Sequence, residues 1–598
     1  MECVPNSPIS ALEGPGSVDL KEVQQIMDKI PSMKIWSLLL LFGALPLLAQ
    51  APMSEPEARS LYDTRNKEIQ RLWREKQWDK AVPILQEIVA MPAMMRVPEI
   101  RFDARYNLAC GYSLLGQKEK SLALLREIVA DTVVDPTQIE RDTDFDNIRS
   151  EPAYKEILAA ARARWEAQNR FWDSSALGTP FKENLTEDEK VGGLARFWSE
   201  AKYNFAWFEK VPNLDWDAKL VEYLPRVRST KSTLEYYRVM MEFAALLKDG
   251  HTNVYPPDEL QDDLRSRPAI GIALVEGHVL VTRVLGDEAL SAAGVRRGVE
   301  LIAVDGLPVR EYADRFVRPA VSASSEQDRE HRTFTAGSLL GGPRDSKVRL
   351  QFRDESGRTF EVSAARLTPS ELRKRDTGPQ KGRFEFRTLD DGRIAYVALN
   401  TFGDGGIVTD FEKAWPEIRK APALILDVRA NDGGNSGFGA QILSYLVARG
   451  GDTEATRMRL YRPAYRAWGR GEDWQTQTWT VDAKPGEGYS GRIVLLTGPG
   501  TFSAAEDFAV SFDMLKAGII LGEPSAGSTG QPLSFRLPGG GSGRVCTLQC
   551  RYADGREFVG VGAQPKIRVT PTVADFRADK DTVLESAEAY LREHPPIK

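Results

Sequence analysis

A serine at the start of a predicted helix is the first residue whose position suggests chemistry. The segment 497–506 (Thr-Gly-Pro-Gly-Thr-Phe-Ser-Ala-Ala-Glu) follows an apolar run and predicts a glycine turn that opens a helix at Ser503. The first N–H groups of a helix lack intrahelical partners, so the Ala504 amide could stabilise the negative charge that follows attack by Ser503. Serine is also a common helix N-cap, and the residue type alone leaves both interpretations open.

A second loop has the glycines that an anion site needs. The segment 427–434 (Asp-Val-Arg-Ala-Asn-Asp-Gly-Gly) follows a buried apolar run, and Gly433 and Gly434 would let backbone N–H groups approach a ligand closely.

Histidine is scarce, which narrows the choice of a general base. An imidazole base, with a pKa near 6.5, could come only from His251, His278, His331 or His594. The four cysteines show no zinc-ligand spacing, so we expect neither a metal nor another cofactor. Cys546 and Cys550 either pair across a hairpin or remain buried thiols.

The net charge excludes one class of partner. The 598 residues carry 79 Lys and Arg against 85 Asp and Glu, a formal charge of −6, with no block of cations. Nucleic acid binding needs clustered cations, so none is expected.

Strands and helices alternate in residues 384–598, and this alternation places the loops 427–434 and 497–506. The predicted strands are 394–399, 423–428 and 493–496, and the predicted helices are 411–419, 437–449 and 503–516. This alternation indicates an αβ core with a mainly parallel sheet, whose functional groups lie at the carboxyl ends of the strands.

The beginning of the chain resembles a secretory leader. Met33 and Lys34 precede an apolar run, and the small-x-small site 49–51 follows it, so 33–51 is predicted to be a signal peptide. Residues 1–32 form an upstream extension of doubtful status. An anchoring helix is the alternative for 33–51, but its apolar run is short for a membrane span. We expect a chain exported across the inner membrane, most plausibly to a periplasm, with no stable membrane span after processing.

Residues 55–168 are predicted to be helical and contain an internal repeat. Segment 80–90 recurs as 120–130 at an offset of 40 residues, and 106–112 resembles the first helix of a tetratricopeptide repeat. A plain helical bundle with a chance repeat is the alternative. Residues 175–262 are again predicted to be helical.

Short strands dominate residues 266–370. The string 293–306 resembles the element of PDZ domains in which a glycine turn leads into a strand and a tight Asp-Gly turn. A PDZ-like domain would bind extended peptides. Residues 311–345 form a long insertion, and a purely structural domain is the alternative. The fold class is therefore multidomain α+β, with a helical repeat, a helical subdomain, a PDZ-like β domain and the αβ core.

Several short strings occur in an order that resembles the tricorn-like and C-terminal processing serine peptidases. The resemblance covers about 185–595 and is carried by 249–252 (Asp-Gly-His-Thr), 427–434, 503–506, 522–527 and 560–565. It implies that Ser503 is the nucleophile, and that Gly433 or Gly434 supplies an oxyanion donor beside Ala504.

The resemblance also bears on the base. Processing peptidases of the Ser-Lys type carry a lysine where this chain has Ser528, and the nearest lysine, Lys516, is expected to be solvated. The tricorn-like branch uses the histidine that matches His251. The acid that orients this base is expected at Glu557, with Asp249 as the other candidate.

We therefore expect an exported serine peptidase that cleaves protein or peptide substrates, recruited by the PDZ-like and repeat domains. A non-catalytic peptide or ligand-binding protein on the same scaffold and a small-ester hydrolase remain alternatives.

Overall fold

The computed structural model describes residues 53–378, 381–462, 464–471 and 473–595. The chain divides into two compact units; the first ends at Trp172 and the second begins at Asp173. The expected upstream extension, 1–32, and the expected leader, 33–51, lie outside the described residues. Within the described residues no helix is both long enough and apolar enough to cross a membrane.

The described part of the first unit is helical. Its helices are α1 Glu55–Arg74, α2 Trp78–Ala90, α3 Pro92–Arg96, α4 Pro98–Leu114, α5 Lys118–Asp131, α6 Pro136–Arg141 and α7 Pro152–Trp172. The two similar segments fall in α2 and α5, and both helices pack on α4. Leu85 and Ile88 of α2 and their counterparts Leu125 and Ile128 of α5 are all buried. The repeat in the sequence is therefore a repeat of core positions.

The second unit begins with three helices around an aromatic core. They are α8 Glu187–Asn204, α9 Trp216–Ser229 and α10 Thr233–Ala245. Thr186 and Glu189 form a capping box at the start of α8. Trp216 stacks on Phe243 with ring centroids 4.4 Å apart. The aromatic residues of this segment therefore belong to the core.

A six-stranded antiparallel sheet follows. Its strands are β2 Ile270–Val275, β3 His278–Val284, β4 Glu300–Val304, β5 Leu307–Pro308, β6 Lys347–Arg353 and β7 Thr359–Ala365, in the order β2-β3-β4-β6-β7 with β5 beside β4. The accompanying helices are α11 Gln261–Arg265, α12 Glu288–Ala292, α13 Val309–Phe316, α14 Glu326–Thr333, α15 Ala336–Leu339 and α16 Pro369–Arg375. The predicted insertion 311–345 is thus mostly helical.

The αβ core contains a second six-stranded sheet in the order β18-β14-β13-β10-β9-β8. Its strands are β8 Phe384–Leu389, β9 Ile394–Leu399, β10 Ala423–Asp427, β13 Arg492–Thr497, β14 Ile519–Gly522 and β18 Ile567–Arg568. Every pairing is parallel except that of β8 with β9. The helices are α17 Gly406–Ile418, α18 Ser436–Leu446, α19 Ala464–Ala467, α20 Ala504–Met514, α21 Val573–Arg577 and α22 Thr582–Glu593.

Both faces of this sheet are covered, which explains its continuous apolar strands. Leu424 and Leu426 of β10 belong to the same buried cluster as Phe508 of α20, whereas Ile425 belongs to the cluster that contains Ala587 of α22. Alternate residues of a strand point to opposite faces, so a strand covered on both sides has no polar face.

Two three-stranded sheets complete the unit. One has the order β1-β16-β15, and the other has the order β12-β11-β17. The strands are β1 Asn253–Tyr255, β11 Gly451–Leu460, β12 Asp473–Val481, β15 Pro532–Arg536, β16 Ser542–Cys546 and β17 Leu548–Tyr552. Cys546 and Cys550 are both buried free thiols, so the disulfide alternative is not realised.

Candidate active site

Ser503 lies directly before α20, in the loop that follows β13. Its backbone has φ 58° and ψ −128°, and its side chain makes no capping hydrogen bond to the helix. The hydroxyl instead lies 2.9 Å from Nε2 of His251. A non-glycine residue in such a conformation costs on the order of 1–3 kcal/mol, so the surrounding contacts must hold it there. The N-cap interpretation of Ser503 is therefore excluded by the geometry.

His251 lies between α10 and β1, and its ring is held on three sides. The ring stacks on Phe502 with centroids 4.5 Å apart and planes 6° from parallel. Its Nδ1 lies 2.9 Å from Oγ of Ser528, while Nε2 faces Ser503. The backbone N–H of His251 donates to Oδ2 of Asp249 at 3.1 Å. The Asp249 carboxylate also accepts from the hydroxyls of Thr252 and Ser324, so it shapes the loop and does not hold the ring.

The environment of His251 favours the neutral imidazole. Burial, with smaller contributions from the Arg544 and Arg332 guanidinium groups, lowers the pKa of His251 to about 3. Near neutral pH the ring therefore has one proton and one free lone pair. We assign the proton to Nδ1, which donates to Ser528, because this tautomer leaves Nε2 free to accept the Ser503 proton.

The loop that carries Ser528 is fixed by a buried carboxylate. Glu506 of α20 accepts the amides of Gly527 and Ser528, both at 2.6 Å, and the hydroxyl of Ser525 at 2.5 Å. Burial raises the pKa of Glu506 to about 8, and these three hydrogen bonds oppose that rise. Ser503 joins the same loop, because its N–H donates to the Ser528 carbonyl at 3.0 Å. Glu506 therefore positions Ser528 relative to both reacting groups.

The glycine loop lies against the nucleophile. The Gly433 amide donates to Oδ1 of Asn431 at 2.9 Å, and the Asn431 side chain also donates to the Leu399 carbonyl at 2.9 Å. A Cβ on Gly433 would lie 2.6 Å from Cβ of Ser503. Since the Gly433 amide already has an acceptor, Gly434, which lines the cleft, and Ala504, which begins α20, remain the amides that could face an oxyanion.

Glu557 does not orient the histidine. Its carboxylate accepts from Lys210 at 2.7 Å and from Arg551 at 3.2 Å. These cations lower the pKa of Glu557. The expectation that Glu557 orients His251 is therefore wrong, since two half-buried cations hold Glu557 and Ser528 occupies the place beside Nδ1.

The other sequence candidates are separated by the fold. Lys516 lies after the end of α20 with an exposed side chain. His278 pairs with Glu300 at 2.7 Å, and His594 contacts the Tyr590 carbonyl at 2.9 Å. His331 lines the same cleft as Ser503. This position could not be predicted, because residues 311–345 show no recognisable pattern.

Helix α14 contacts the catalytic loops. Gln327 donates to the carbonyls of Ser525 at 3.0 Å and Val561 at 2.9 Å. The Arg332 guanidinium lies 4.4 Å from the centre of the Phe502 ring, on which His251 stacks. The predicted insertion therefore forms part of the wall around the site.

Ser503 and His251 open into a cleft of about 760 Å³. Its lining combines both reacting side chains with strands β11 and β17 and the end of α14. A cleft of this size accommodates several residues of an extended peptide. Among the described residues, the one group of side chains that could hold a metal is Cys110, Asp142 and Asp144 of the first unit.

The chain is similar in sequence to known peptidases. Residues 393–569 match the family model described as Peptidase family S41. The putative tricorn protease homolog 2 of Streptomyces coelicolor is 25% identical over 404 residues, covering 64% of this chain and 30% of the relative. The chloroplastic C-terminal processing peptidase of Tetradesmus obliquus is 23% identical over 357 residues, covering 56% of this chain and 68% of the relative.

Solved structures share the fold. Mature CPAF superposes with a TM-score of 0.53 at 17% identity, covering 69% of this chain and 99% of that chain. The complex of mature CPAF with lactacystin has a TM-score of 0.53 at 16% identity, covering 68% of this chain and 97% of that chain. The chain spans less than a third of the length of the tricorn homolog, so that similarity concerns one part of a larger protein. Residues 393–569, which include Ser503 and the glycine loop, are thus the part of the chain that is similar to peptidase family S41.

Proposed function

We propose that this protein is a serine peptidase that hydrolyses peptide bonds of protein or peptide substrates through an acyl-enzyme on Ser503. The observation that carries the proposal is the 2.9 Å contact between Oγ of Ser503 and Nε2 of a buried histidine. This distance is within the hydrogen-bond reach that proton transfer requires.

His251 would act first as a base and then as an acid. Nε2 takes the Ser503 proton as Oγ attacks the scissile carbonyl, and the imidazolium then gives that proton to the leaving amine. Water enters next, loses a proton to Nε2 and attacks the acyl carbon; the imidazolium then returns that proton to Oγ of Ser503 as the acyl group leaves as a carboxylic acid. The Ser528 hydroxyl accepts from Nδ1 at 2.9 Å and so keeps the ring in line through both steps.

Two amides are aimed at the tetrahedral intermediate in this proposal. Ala504 is the first residue of α20, and its N–H has no intrahelical acceptor by position. Gly434 lines the cleft beside it. Each donor of such a pair is worth about 2.7–4 kcal/mol of barrier in a well-studied serine protease.

We propose that the remaining parts recruit substrate. The antiparallel sheet β2–β7 would act as the PDZ-like module, and the helical first unit as a protein-binding repeat. Export to a periplasm, directed by residues 33–51, is part of the same proposal and rests on the sequence pattern alone.

The test is cleavage of an unfolded protein by the purified chain and by Ser503→Ala. We expect cleavage by the wild type and none above background by the variant, with a matched Ser534→Ala control, on exposed strand β15, behaving as wild type. Equal cleavage by Ser503→Ala would overturn the role of Ser503. Hydrolysis of small esters without cleavage of any peptide would favour an esterase instead.

A further inference from the structure

The cleft has an acidic end that the proposed chemistry does not use. It is formed by Glu454 of β11 and Asp507 of α20, and both residues line the cleft that contains Ser503. Asp507 lies one helical turn beyond the nucleophile, and its N–H donates to the Ser503 carbonyl at 3.1 Å. One turn corresponds to about 5.4 Å along the helix axis, so the acidic end lies within reach of a substrate side chain near the scissile bond.

The two carboxylates differ in their partners. Asp507 accepts from the hydroxyls of Ser436 and Thr529, both at 2.6 Å. Glu454 is 6% exposed, and within the described part of the chain its carboxylate has no hydrogen-bond or ion-pair partner. A carboxylate on a mostly buried side chain is unfavourable without a donor, and because Glu454 lines the cleft, a ligand there could supply one.

The surroundings of Glu454 add negative charge. Burial, together with the neighbouring carboxylates of Asp507 and Glu506, raises the pKa of Glu454 well above its usual value. A cation placed between Glu454 and Asp507 would offset the repulsion between their carboxylates and would donate the hydrogen bonds that Glu454 lacks.

The cationic side chains of the cleft do not pair with Glu454 or Asp507. Four carboxylates line the cleft against two guanidinium groups, those of Arg332 and Arg544. Arg332 donates to Asp328 at 2.5 Å, and Arg544 donates to the side chain of Asn253 at 2.8 Å. Arg332 and Arg544 therefore have other partners, and a ligand in the cleft could supply the cation instead.

We propose that Glu454 and Asp507 form a binding site for the basic side chain, guanidinium or ammonium, of a substrate residue next to the scissile bond. This inference rests on the proposed peptidase function and adds the substrate class, peptides with arginine or lysine at the cleavage site. Arginine suits the site better than lysine, because its planar guanidinium can donate to two carboxylates at once.

Binding tests the site without requiring turnover. The probe is acetyl-Ala-Ala-Arg-Ala-Ala-amide, compared with the same peptide containing citrulline, which keeps the shape of arginine and removes its charge. With the full-length Ser503→Ala chain, calorimetry should give a Kd for the arginine peptide that is lower by about tenfold or more. Adding Glu454→Gln should bring the ratio of the two Kd values close to one.

The controls separate charge from folding. Asp452→Asn removes an exposed carboxylate from the same strand and should leave the ratio unchanged. Glu454→Gln keeps the shape of the side chain and removes a carboxyl whose ionised form burial already disfavours, so its Tm should equal or exceed that of its parent. Equal Kd values for the two peptides, including no binding of either up to millimolar concentration, would overturn the site.

Cleavage by the otherwise wild-type chain then distinguishes this inference from the proposed function. Hydrolysis beside arginine in preference to citrulline supports both. Hydrolysis that requires Ser503 but ignores the charge refutes the basic subsite and leaves the peptidase intact. A binding preference for arginine without any hydrolysis supports the subsite and refutes the peptidase.

Discussion

Ser528 occupies the position at which the Ser-Lys processing peptidases carry their base, and here it contacts the base instead of replacing it. Its hydroxyl lies 2.9 Å from Nδ1 of His251, and its amide is held at 2.6 Å by Glu506. Second partners of this kind fix both the tautomer and the orientation of a ring. In the proposed mechanism a serine therefore takes the place that an acid has in many serine hydrolases.

Replacing Ser528 tests this arrangement. In Ser528→Ala the Nδ1–H loses its acceptor, so the ring is less well aligned with Ser503. We expect kcat to fall by about 10- to 100-fold with little change in KM, as measured by steady-state peptide hydrolysis. Ser534→Ala, on an exposed part of β15, is the control. A normal kcat in Ser528→Ala would show that Phe502 stacking alone orients the ring.

The low pKa of His251 predicts an unusual pH profile. The folded chain holds this pKa at about 3, compared with about 6.5 in an unfolded chain. As the pH falls from 6.5, Nε2 thus stays unprotonated until the pH approaches 3. The acid limb of kcat/KM should therefore lie well below 6.5. An acid limb near 6.5 or higher, which a solvated histidine or a lysine base would give, contradicts the prediction.

The same shift affects folding stability. Between the two pKa values the unfolded chain binds the proton and the folded chain does not. The contribution of His251 to stability is therefore complete above pH 6.5 and is lost as the pH falls towards 3.

At the scale of elements, the two loops after β10 and β13 can approach each other because Gly433 has no side chain where they touch. Gly433 has φ 101°, and an added Cβ would lie 2.6 Å from Cβ of Ser503 and 3.0 Å from the Ala504 nitrogen. The Phe502 N–H donates to the Asn431 carbonyl at 3.1 Å, which ties the loops together.

Gly433→Ala should therefore damage catalysis more than stability. The methyl group would push Ser503 and the Ala504 amide from their positions, and we expect kcat/KM to fall by at least about 100-fold. Gly555→Ala is the matched control, because Gly555 has φ 90° and nothing within 4 Å of an added Cβ. Both variants share the backbone cost of about 1–3 kcal/mol in unfolding free energy. Equal activity in the two variants would contradict the close approach.

The elements of the core could be predicted because their apolar runs are continuous. The expected strand 394–399 coincides with β9, and the expected helix 503–516 corresponds to α20, Ala504–Met514. The helix ended early because Lys516 adopts φ 53°. The role of α14 could not be predicted from the sequence. Its Gln327 contacts Ser525 and Val561, which lie 198 and 234 positions further along the chain.

At the scale of the whole molecule, the second unit brings together residues that are distant in sequence. Ser503 and His251 are 252 positions apart, and His251 and Ser528 are 277 apart. Short motifs in a familiar order could indicate Ser503 and His251, because they lie in the strings that carry the resemblance. Ser528 could not be predicted as the partner of Nδ1, because in the resemblance its position matches a lysine and the orienting acid is expected before the late Gly-x-x-Pro string, near Glu557.

Every hydrogen bond described for the active site comes from the second unit. We therefore expect a chain without residues 1–172 to react with a small fluorophosphonate probe at Ser503 at the same rate as the full chain. The labelling reaction is quenched at successive times to give the rate for each chain. Mass spectrometry of the labelled peptide confirms that the probe is on Ser503. A loss of labelling in a truncated chain whose Tm matches that of the second unit in the full protein would assign the first unit a part in the site.

The central claim is that His251 activates Ser503, and fluorophosphonate labelling tests it most directly. The rate of labelling should be lost in Ser503→Ala and reduced by at least about 100-fold in His251→Ala, because general-base assistance contributes about 10²–10⁴-fold. Lys516→Ala, which removes an exposed lysine after α20, should label at the wild-type rate. Full labelling of His251→Ala together with loss of labelling in Lys516→Ala would contradict the account.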